Sequence, residues 1–239
     1  MSGHSKWSTI KRQKGAKDAK RGAVFTKLGN AITIAAREGG KDPDSNFKLR
    51  LAIDRAKGAN VPKDNIERAI KRGTGELEGN IIEEITYEGY GPGGIPFLIQ
   101  ALTDNRNRAS AAIRHSLTKY GGSLAGPGSV AWMFSSRGVV AVDLESLSDE
   151  MELKLIDAGA EDVKHQNGRL VIYTKPDKIK TLKGTLEKNG LNPDYADMEM
   201  VAKEEVSADE KAKATLEKIA EELEENEDVK DYFTNVTGL

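Results

Sequence analysis

Cysteine is absent from the chain, which excludes disulfide bonds, thiol nucleophiles and thiolate metal sites. No uninterrupted apolar run approaches the roughly 18 residues of a membrane-spanning helix, so we expect no membrane partner. The start of the chain is basic, but no apolar segment of about seven residues follows it, which argues against a secretory signal. These absences together predict a cytoplasmic protein.

Groups that could carry catalysis are scarce. The three histidines, His4, His115 and His165, are isolated from one another in the sequence. Neither a Gly-x-Ser-x-Gly elbow nor a phosphate-binding Gly-x-x-x-x-Gly-Lys-Ser/Thr loop occurs. Adjacent acids such as Glu83-Glu84 point apart on a helix or strand, so they do not form a metal site by themselves. We therefore expect no enzyme activity, no metal, no cofactor and no small-molecule substrate.

The charge of the chain is strongly segregated. The net charge of −2 conceals a basic first third: residues 1–75 contain 18 Lys and Arg against 7 Asp and Glu, a net charge of +11. The remainder therefore carries −13. This pattern predicts that the first part of the chain meets an anion and that the rest does not.

Within the basic third, the opening 27 residues hold eight cations against a single acid, Asp18. Too few apolar side chains occur there to build a core, so the segment needs an external partner or stays mobile. Lys and Arg neutralise phosphates, and the indole of Trp7 can stack on an exposed base, so a nucleic acid suits this arm. The alternative is a solubilising tail, although Trp7 and the glycine punctuation favour contact.

Helical patterns fill the rest of the first third. Apolar residues recur at helical spacing from Val24 to Ala36, from Phe47 to Ala56, and from Ile66 to Ile70. Turn and capping residues precede the second helix at Asp42–Ser45 and the third at Asn60–Asp64. The sequence therefore predicts a small three-helix bundle with the basic arm leading into it.

Strand patterns begin after a linker at residues 74–79. Residues 85–88 and 95–102 predict two strands joined at Gly89–Gly94, where a turn is favoured over a phosphate-binding loop. Asp104 is the expected cap of a helix with a basic polar side, and Val130–Phe134 is expected to form another strand. The last segment, from Ser207, predicts a helix and then a strand at Val229–Val236.

Between these parts, residues 138–203 predict the order βαββαβ of a ferredoxin-like sandwich. Because an isolated helix and strand need partners, we expect the tail to return and complete the earlier sheet. The predicted fold class is α+β multidomain, with an N-terminal three-helix bundle and two α/β-sandwich (ferredoxin-like) domains, one inserted in the other. The expected limits are residues 1–78, residues 79–136 with 204–239, and the inserted residues 137–203.

Five blocks of the sequence resemble the YebC family in the order in which that family has them. They are Gly3–Trp7, Arg21–Lys27, Asn60–Gly75, Tyr87–Gly94 and Leu102–Arg108. The resemblance implies three domains, the first all-helical, and no catalytic set. Some members are described as DNA-binding transcriptional regulators. Others, including mitochondrial translational activators, act on translation at the ribosome, and bacterial relatives are linked to stalling at proline runs.

The resemblance and the charge pattern imply a non-enzymatic, nucleic-acid-binding regulator of gene expression. A DNA-binding transcriptional regulator is the first reading, a ribosome- or rRNA-binding translation factor that relieves stalling is the alternative, and a protein-interaction scaffold is the third. The expected partners are DNA and/or ribosomal RNA, with the ribosome as a further candidate. The implied contacts are His4, Lys6, Trp7, Lys11, Arg12, Lys14, Lys17, Lys20, Arg21, Lys27, Lys71, Arg72, Arg106 and Arg108.

Overall fold

The computed structural model describes residues 18–144, 146–166 and 168–237, with side chains from Gly22 onward except that of Gln166. The arm before residue 18 lies outside this part of the chain. None of the described helices is long and apolar enough to cross a membrane.

Three helices form the N-terminal part: α1 (Asp18–Gly39), α2 (Phe47–Gly58) and α3 (Lys63–Gly73). Their apolar faces meet in one core around Ile32, Leu49 and Ile66. We expected the N-cap of α2 among residues 42–45, and this was wrong. The N-cap is Asn46. Its side chain accepts a bond from the N–H of Leu49 and donates to the carbonyls of Ala35 and Gly40, which ties the end of α1 to the start of α2.

The long helix α1 is buried on two sides. One side faces α2 and α3, whereas Ile34, 2% exposed, packs against Ile82 and Leu102 of the first sheet. Full burial of such a side chain contributes roughly 1.5–3 kcal/mol. Arg37 donates to the carbonyl of Ile82 at 2.7 Å and Asn30 to that of Leu102 at 3.4 Å. The helical bundle is therefore fixed to the neighbouring sheet along the length of α1.

The first sheet has the strand order β3-β1-β2-β8 and is antiparallel throughout. Its strands are β1 (Glu83–Tyr90), β2 (Pro96–Thr103), β3 (Ser123–Ala125) and β8 (Val229–Thr234), and its helices are α4 (Arg106–Lys119) and α7 (Glu210–Glu225). The core between sheet and helices centres on Phe97, Ile113, Leu117 and Leu216. The last strand of the chain thus pairs with β2, more than a hundred residues earlier.

The second sheet has the order β5-β6-β4-β7, also antiparallel. Its strands are β4 (Phe134–Val142), β5 (Ala160–Gln166), β6 (Arg169–Thr174) and β7 (Tyr195–Ala202), and its helices are α5 (Asp149–Asp157) and α6 (Ile179–Lys188). The core beneath both helices contains Val140, Leu155, Ile172 and Leu182. The predicted fold class, α+β with a helical bundle and two α/β sandwiches, is confirmed; the domain limits stay a prediction.

Several predicted details of the first sheet were wrong. Val130–Phe134 is not a strand: residues Ala131–Met133 form a 3-10 turn, and β4 starts only at Phe134. The N–H groups of Val130 and Ala131 are bound by the buried carboxylate of Glu88, so they cannot join a strand ladder. The short strand β3 was missed.

One predicted cap also differs. Asn105 rather than Asp104 caps α4, by accepting from the N–H of Arg108. The cap of α7 is Asp209, whose side chain accepts from the N–H of Ala212.

The helical bundle and the second sheet meet around Arg55 of α2. Its guanidinium pairs with Asp197 of β7, donates to the hydroxyl of Tyr195 at 3.3 Å and lies 5.5 Å from the centre of the Tyr195 ring. Tyr195 in turn donates to Glu199 at 2.6 Å. Burial and the nearby Glu199 carboxylate raise the pKa of Tyr195, so the phenol stays protonated. This network fixes the helical bundle to the second sheet.

Candidate nucleic-acid interface

The basic arm reaches the described structure at the first turns of α1. The predicted contacts from His4 to Lys17 lie outside the described residues, as do the side chains of Lys20 and Arg21. Their contact with nucleic acid stays a prediction. The structure shows where the arm joins the fold. It leads into α1, which begins at Asp18 and is held between the bundle core and the first sheet.

Lys27 is the first predicted contact whose side chain is described, and it is turned inward. Its ammonium group donates to the carbonyls of Leu223 and Glu224, at 3.4 and 2.5 Å, in the last turn of α7. Carbonyls at a helix C-terminus lack intrahelical partners and carry partial negative charge, so a lysine there stabilises the helix end. This geometry gives Lys27 a structural task, and we leave it out of the surface proposed below.

The second half of α3 presents a compact cationic surface. Lys71 and Arg72 are exposed, and so is Arg68, which sequence reasoning missed although it lies three and four positions before them. Within the described residues, none of the three has an acidic partner at ion-pair distance. The opposite side of α3 is buried through Ile66 and Ala69, which fixes the direction in which the cations point. We call Arg68, Lys71 and Arg72 the α3 cation cluster.

Part of this cluster has a purely structural explanation. Lys71 and Arg72 occupy the last turn of α3, where cations stabilise the partial negative charge of a helix end. An exposed cation at a helix C-terminus stabilises the helix by roughly 0.3–1 kcal/mol, and a single cation is enough for this. Arg68 lies a full turn earlier, and so the cluster extends beyond what the helix end requires.

The cations of α4 are arranged differently. Arg106 pairs with Glu83 of β1, and Arg108 donates to Asp104 at 2.9 Å and to both oxygens of Asp228 at 2.6 and 2.8 Å. Hydrogen bonding to Asp228 raises the pKa of Arg108 further above its ordinary value. Both arginines were predicted as nucleic-acid contacts, and the structure assigns them acidic partners; their contact with nucleic acid stays a prediction.

The far end of α4 repeats this pairing. Lys119 donates to Glu222 of α7 at 2.6 Å, and the hydroxyl of Tyr120 donates to the same carboxylate oxygen at 2.9 Å. Arg114 and His115 are exposed on α4, and within the described part of the chain neither side chain has an acidic partner at ion-pair distance. Sequence reasoning placed both on the polar side of this helix but left them out of the predicted contacts.

Among the described residues, no group of three or more potential ligands is arranged to hold a metal ion. The α3 cation cluster belongs to the same basic third of the sequence as the arm, whereas the α4 cations belong to the acidic remainder.

Family models match the chain over almost its whole length. Residues 5–76 match the N-terminal domain of the TACO1/YebC protein, and residues 82–236 match the TACO1/YebC second and third domain. The chain belongs to the TACO1/YebC family. The boundary between the two TACO1/YebC matches falls between α3 and β1, where the fold changes from helices to the first sheet.

Relatives in the TACO1/YebC family are similar over their full length. A protein of Dehalococcoides mccartyi is 48% identical over 236 residues, which cover 98% of this chain and 94% of the relative. A protein of Acidithiobacillus ferrooxidans is 49% identical over 237 residues, with the same coverage. Both are named probable transcriptional regulatory proteins.

A solved structure supports the same fold. The crystal structure of a conserved hypothetical protein from Aquifex aeolicus matches with a TM-score of 0.85 and 42% sequence identity. The match covers 97% of this chain and 96% of that one. The similarity therefore extends to the arrangement of all three parts of the fold.

Proposed function

We propose that this protein is a non-enzymatic regulator of gene expression that binds the phosphate backbone of nucleic acid through its N-terminal part. The basic arm and the α3 cation cluster are the contact surface in this proposal. The observation that carries it is the segregation of charge: +11 over residues 1–75 against −13 over the rest. A polyanion would be attracted electrostatically to residues 1–75, whereas the rest of the chain adds no net attraction for it.

The unpaired state of the α3 cation cluster supports this use. A cation in a strong ion pair must leave its partner before it can contact a phosphate, and breaking the pair reduces the net free energy gained on binding. Within the described structure, no such pair has to be broken at Arg68, Lys71 or Arg72. Each phosphate that they neutralise would release counterions, which gives binding that weakens as salt rises.

DNA is the first target in this proposal. Relatives with 48–49% identity are named probable transcriptional regulatory proteins, which supports a target in transcription. The cations available are mostly lysines on an arm and on the end of a helix, which suits contact with phosphates rather than readout of base edges. We therefore expect weak sequence preference from the N-terminal part alone.

RNA is the second candidate target, with a role in translation at the ribosome. The observation that favours it is an exposed tryptophan, Trp132, 66% exposed on a loop of the first sheet. Unpaired bases, common in folded RNA and rare in duplex DNA, stack on such rings. The scaffold hypothesis has no comparable observation behind it.

The decisive experiment compares two charge reversals. Lys11, Arg12, Lys14 and Lys17 are changed to Glu in one variant, and the α3 cation cluster is changed to Glu in another. Binding to labelled duplex DNA and to structured RNA is measured by fluorescence anisotropy over a range of salt concentrations. We expect both variants to lose affinity and to show a shallower salt dependence, by about one power of salt for each phosphate that is no longer neutralised.

A matched control separates specific contact from total charge. Lys180 and Lys188 of α6 are exposed and have no recorded acidic partner in the described chain. Changing both to Glu should leave affinity almost unaltered. Loss of affinity in this control equal, per charge, to that of the α3 variant would reject the localised interface. Crosslinking in cells, followed by sequencing of the bound nucleic acid, then separates promoter DNA from ribosomal RNA; recovery of neither would reject the proposal.

A further inference from the structure

Trp132 is displayed on a loop that the protein holds rigidly. It is one of two tryptophans in the chain, and 66% of its surface is exposed, although large aromatic side chains usually contribute to a core. It lies in the 3-10 turn Ala131–Met133, which connects the first sheet to β4. An exposed tryptophan suggests a binding surface. A binding surface is more effective when the loop that carries it is rigid, so the contacts that hold this loop bear on the suggestion.

Glu88 anchors the loop from below. Its side chain is 6% exposed, and one carboxylate oxygen accepts from the N–H of Gly128 at 2.6 Å. The other oxygen accepts from the N–H groups of Val130 and Ala131 at 2.6 and 2.8 Å. Burial alone would raise the pKa of Glu88, but these three backbone bonds outweigh it and lower the pKa. The carboxylate is therefore charged at neutral pH and fixes the loop at three backbone positions.

Further bonds hold both sides of the tryptophan. The hydroxyl of Tyr90 donates to the carbonyl of Ser129 at 3.0 Å, and Val130 is completely buried in a small apolar cluster. The ammonium group of Lys203 donates to the carbonyl of Trp132 itself at 2.7 Å. A loop fixed at so many points loses little further entropy when a ligand binds, so the exposed ring is preorganised.

The indole has only its aromatic surface to offer a ligand. Its N–H donates to the carbonyl of Ser129 at 3.1 Å, within the same loop. A partner therefore cannot be recognised through that hydrogen bond, but it can stack on the ring. The ammonium of Lys203 is bonded to the backbone carbonyl of the same residue, so it holds the loop and is not part of the stacking surface. A flat, exposed ring of this kind matches an unpaired base, which can stack on it whatever its sequence.

A protein partner fits this site less well. Protein interfaces usually have an apolar core of several residues around a tryptophan anchor. The strongly exposed apolar side chains elsewhere in the described structure include Leu153 and Ile156 on α5 and Ile81 before β1, all on elements other than this loop. Only Val206, 38% exposed, lies in the segment that follows Lys203.

We propose that Trp132 is a stacking platform for an unpaired base. This inference rests on the proposed function and extends it: the arm and the α3 cation cluster contact the backbone, while the loop selects nucleic acid that has an unstacked base. Single-stranded or looped RNA, or locally opened DNA, is the ligand class. A perfect duplex would engage only the cationic surface.

Fluorescence tests this directly once Trp7 has been changed to Phe, so that Trp132 is the only tryptophan. The probes are a single-stranded RNA of about 16 nucleotides, a duplex of the same length, and inorganic polyphosphate, which has the charge but no bases. We expect quenching of Trp132 emission by the single strand, and none by the duplex or by polyphosphate. Binding itself is followed separately by the anisotropy of labelled RNA, without reference to tryptophan emission.

Substitution provides the second measurement. Trp132→Ala should weaken single-strand binding about 5- to 150-fold, the range for loss of one base–aromatic stack, and should leave duplex binding unaltered. Trp132→Tyr should recover most of the loss because it keeps a stacking ring. Since the side chain is largely exposed, the melting temperature should change little in either variant.

The outcomes separate this inference from the proposed function. If the single strand binds by anisotropy but the emission of Trp132 does not change, the stacking platform is wrong and the cationic interface survives. If neither nucleic acid binds the intact protein, the proposed function fails. If Trp132→Ala leaves both affinities unchanged but abolishes crosslinking to a protein in cells, the site is a protein contact and the inference is overturned.

Discussion

Helices α3 and α4 both direct cations towards solvent, but the surroundings of those cations differ. On α4, Arg106, Arg108 and Lys119 each meet an acid from another element: Glu83 from β1, Asp228 from the segment before β8, and Glu222 from α7. On α3, no acid of the described residues lies at ion-pair distance from the cation cluster. The three paired cations of α4 thus join parts of the fold, whereas the α3 cation cluster remains free to bind.

The difference follows from where each helix lies. Helix α4 is packed against α7 and the first sheet, in the half of the molecule that is rich in acids. Helix α3 packs on α1 within the basic third, where acids are few. Identical side chains therefore serve stability in one place and are available for a ligand in the other. Each prediction below tests this division.

The largest expected effect is on binding through α3. Changing Arg68, Lys71 and Arg72 together to Glu should weaken nucleic-acid binding on the order of 100-fold at moderate salt, because three phosphate contacts become repulsions. The melting temperature should stay close to that of the unaltered protein, since all three side chains are exposed. Anisotropy and thermal unfolding measure the two quantities. Unchanged affinity would place the interface elsewhere.

The next effect is on stability through α4. Arg108→Ala leaves Asp228, only 8% exposed, without its guanidinium partner. We expect a loss of about 1–3 kcal/mol in the free energy of unfolding, towards the lower end because Arg108 itself is half exposed. Denaturant unfolding measures it. The double variant with Asp228→Asn should recover part of the loss, and additive losses would show that the two side chains do not interact.

Low pH should weaken the pair between Lys119 of α4 and Glu222 of α7, and it should leave the α3 cation cluster unaffected. Burial tends to raise the pKa of Glu222, but bonds from Lys119, Tyr120 and Ser116 outweigh it and lower the pKa. A carboxylate with a lowered folded-state pKa contributes stability above its unfolded pKa of about 4.3 and loses it as the pH falls through the folded value. Glu222→Gln should therefore lower the melting temperature at pH 7, and its difference from the unaltered protein should shrink as the pH falls below about 4.3.

The α3 charge variant supplies the control for this pH experiment. Its melting temperature should fall with acid in parallel with that of the unaltered protein, because it retains every α4 pair. A gap between Glu222→Gln and the unaltered protein that stays constant from pH 7 to pH 3 would contradict the linkage.

The smallest expected effect is that of Arg106→Ala. The side chain is 72% exposed and its partner Glu83 is 44% exposed, so solvent screens the pair. We expect a change within about 0.5 kcal/mol in stability and almost none in affinity. This variant also sharpens the comparison, because a weaker affinity with a shallower salt dependence would mean that Arg106 leaves Glu83 to meet a phosphate.

Local and repetitive features were open to prediction from sequence. The three helices of the bundle follow from apolar spacing, and the βαββαβ order of residues 138–203 follows from the alternation of strand and helix patterns. The errors have local causes. Residues 130–134 have the composition of a strand, yet Glu88 binds their N–H groups from a distant position in the sequence, and propensity gave no sign of that.

The candidate site divides in the same way. The sequence alone determined the segregation of charge, because the count of Lys, Arg, Asp and Glu along the chain does not depend on folding, and it determined the family through its ordered blocks. Only the tertiary structure decided which cations are available. Lys27 and Arg108 look like Lys71 and Arg72 in the sequence, but folding brings carbonyls and a buried carboxylate to the first two and leaves the second two facing solvent. The physical reason is that an ion pair depends on the distance between side chains far apart in the chain, and that distance is fixed by packing.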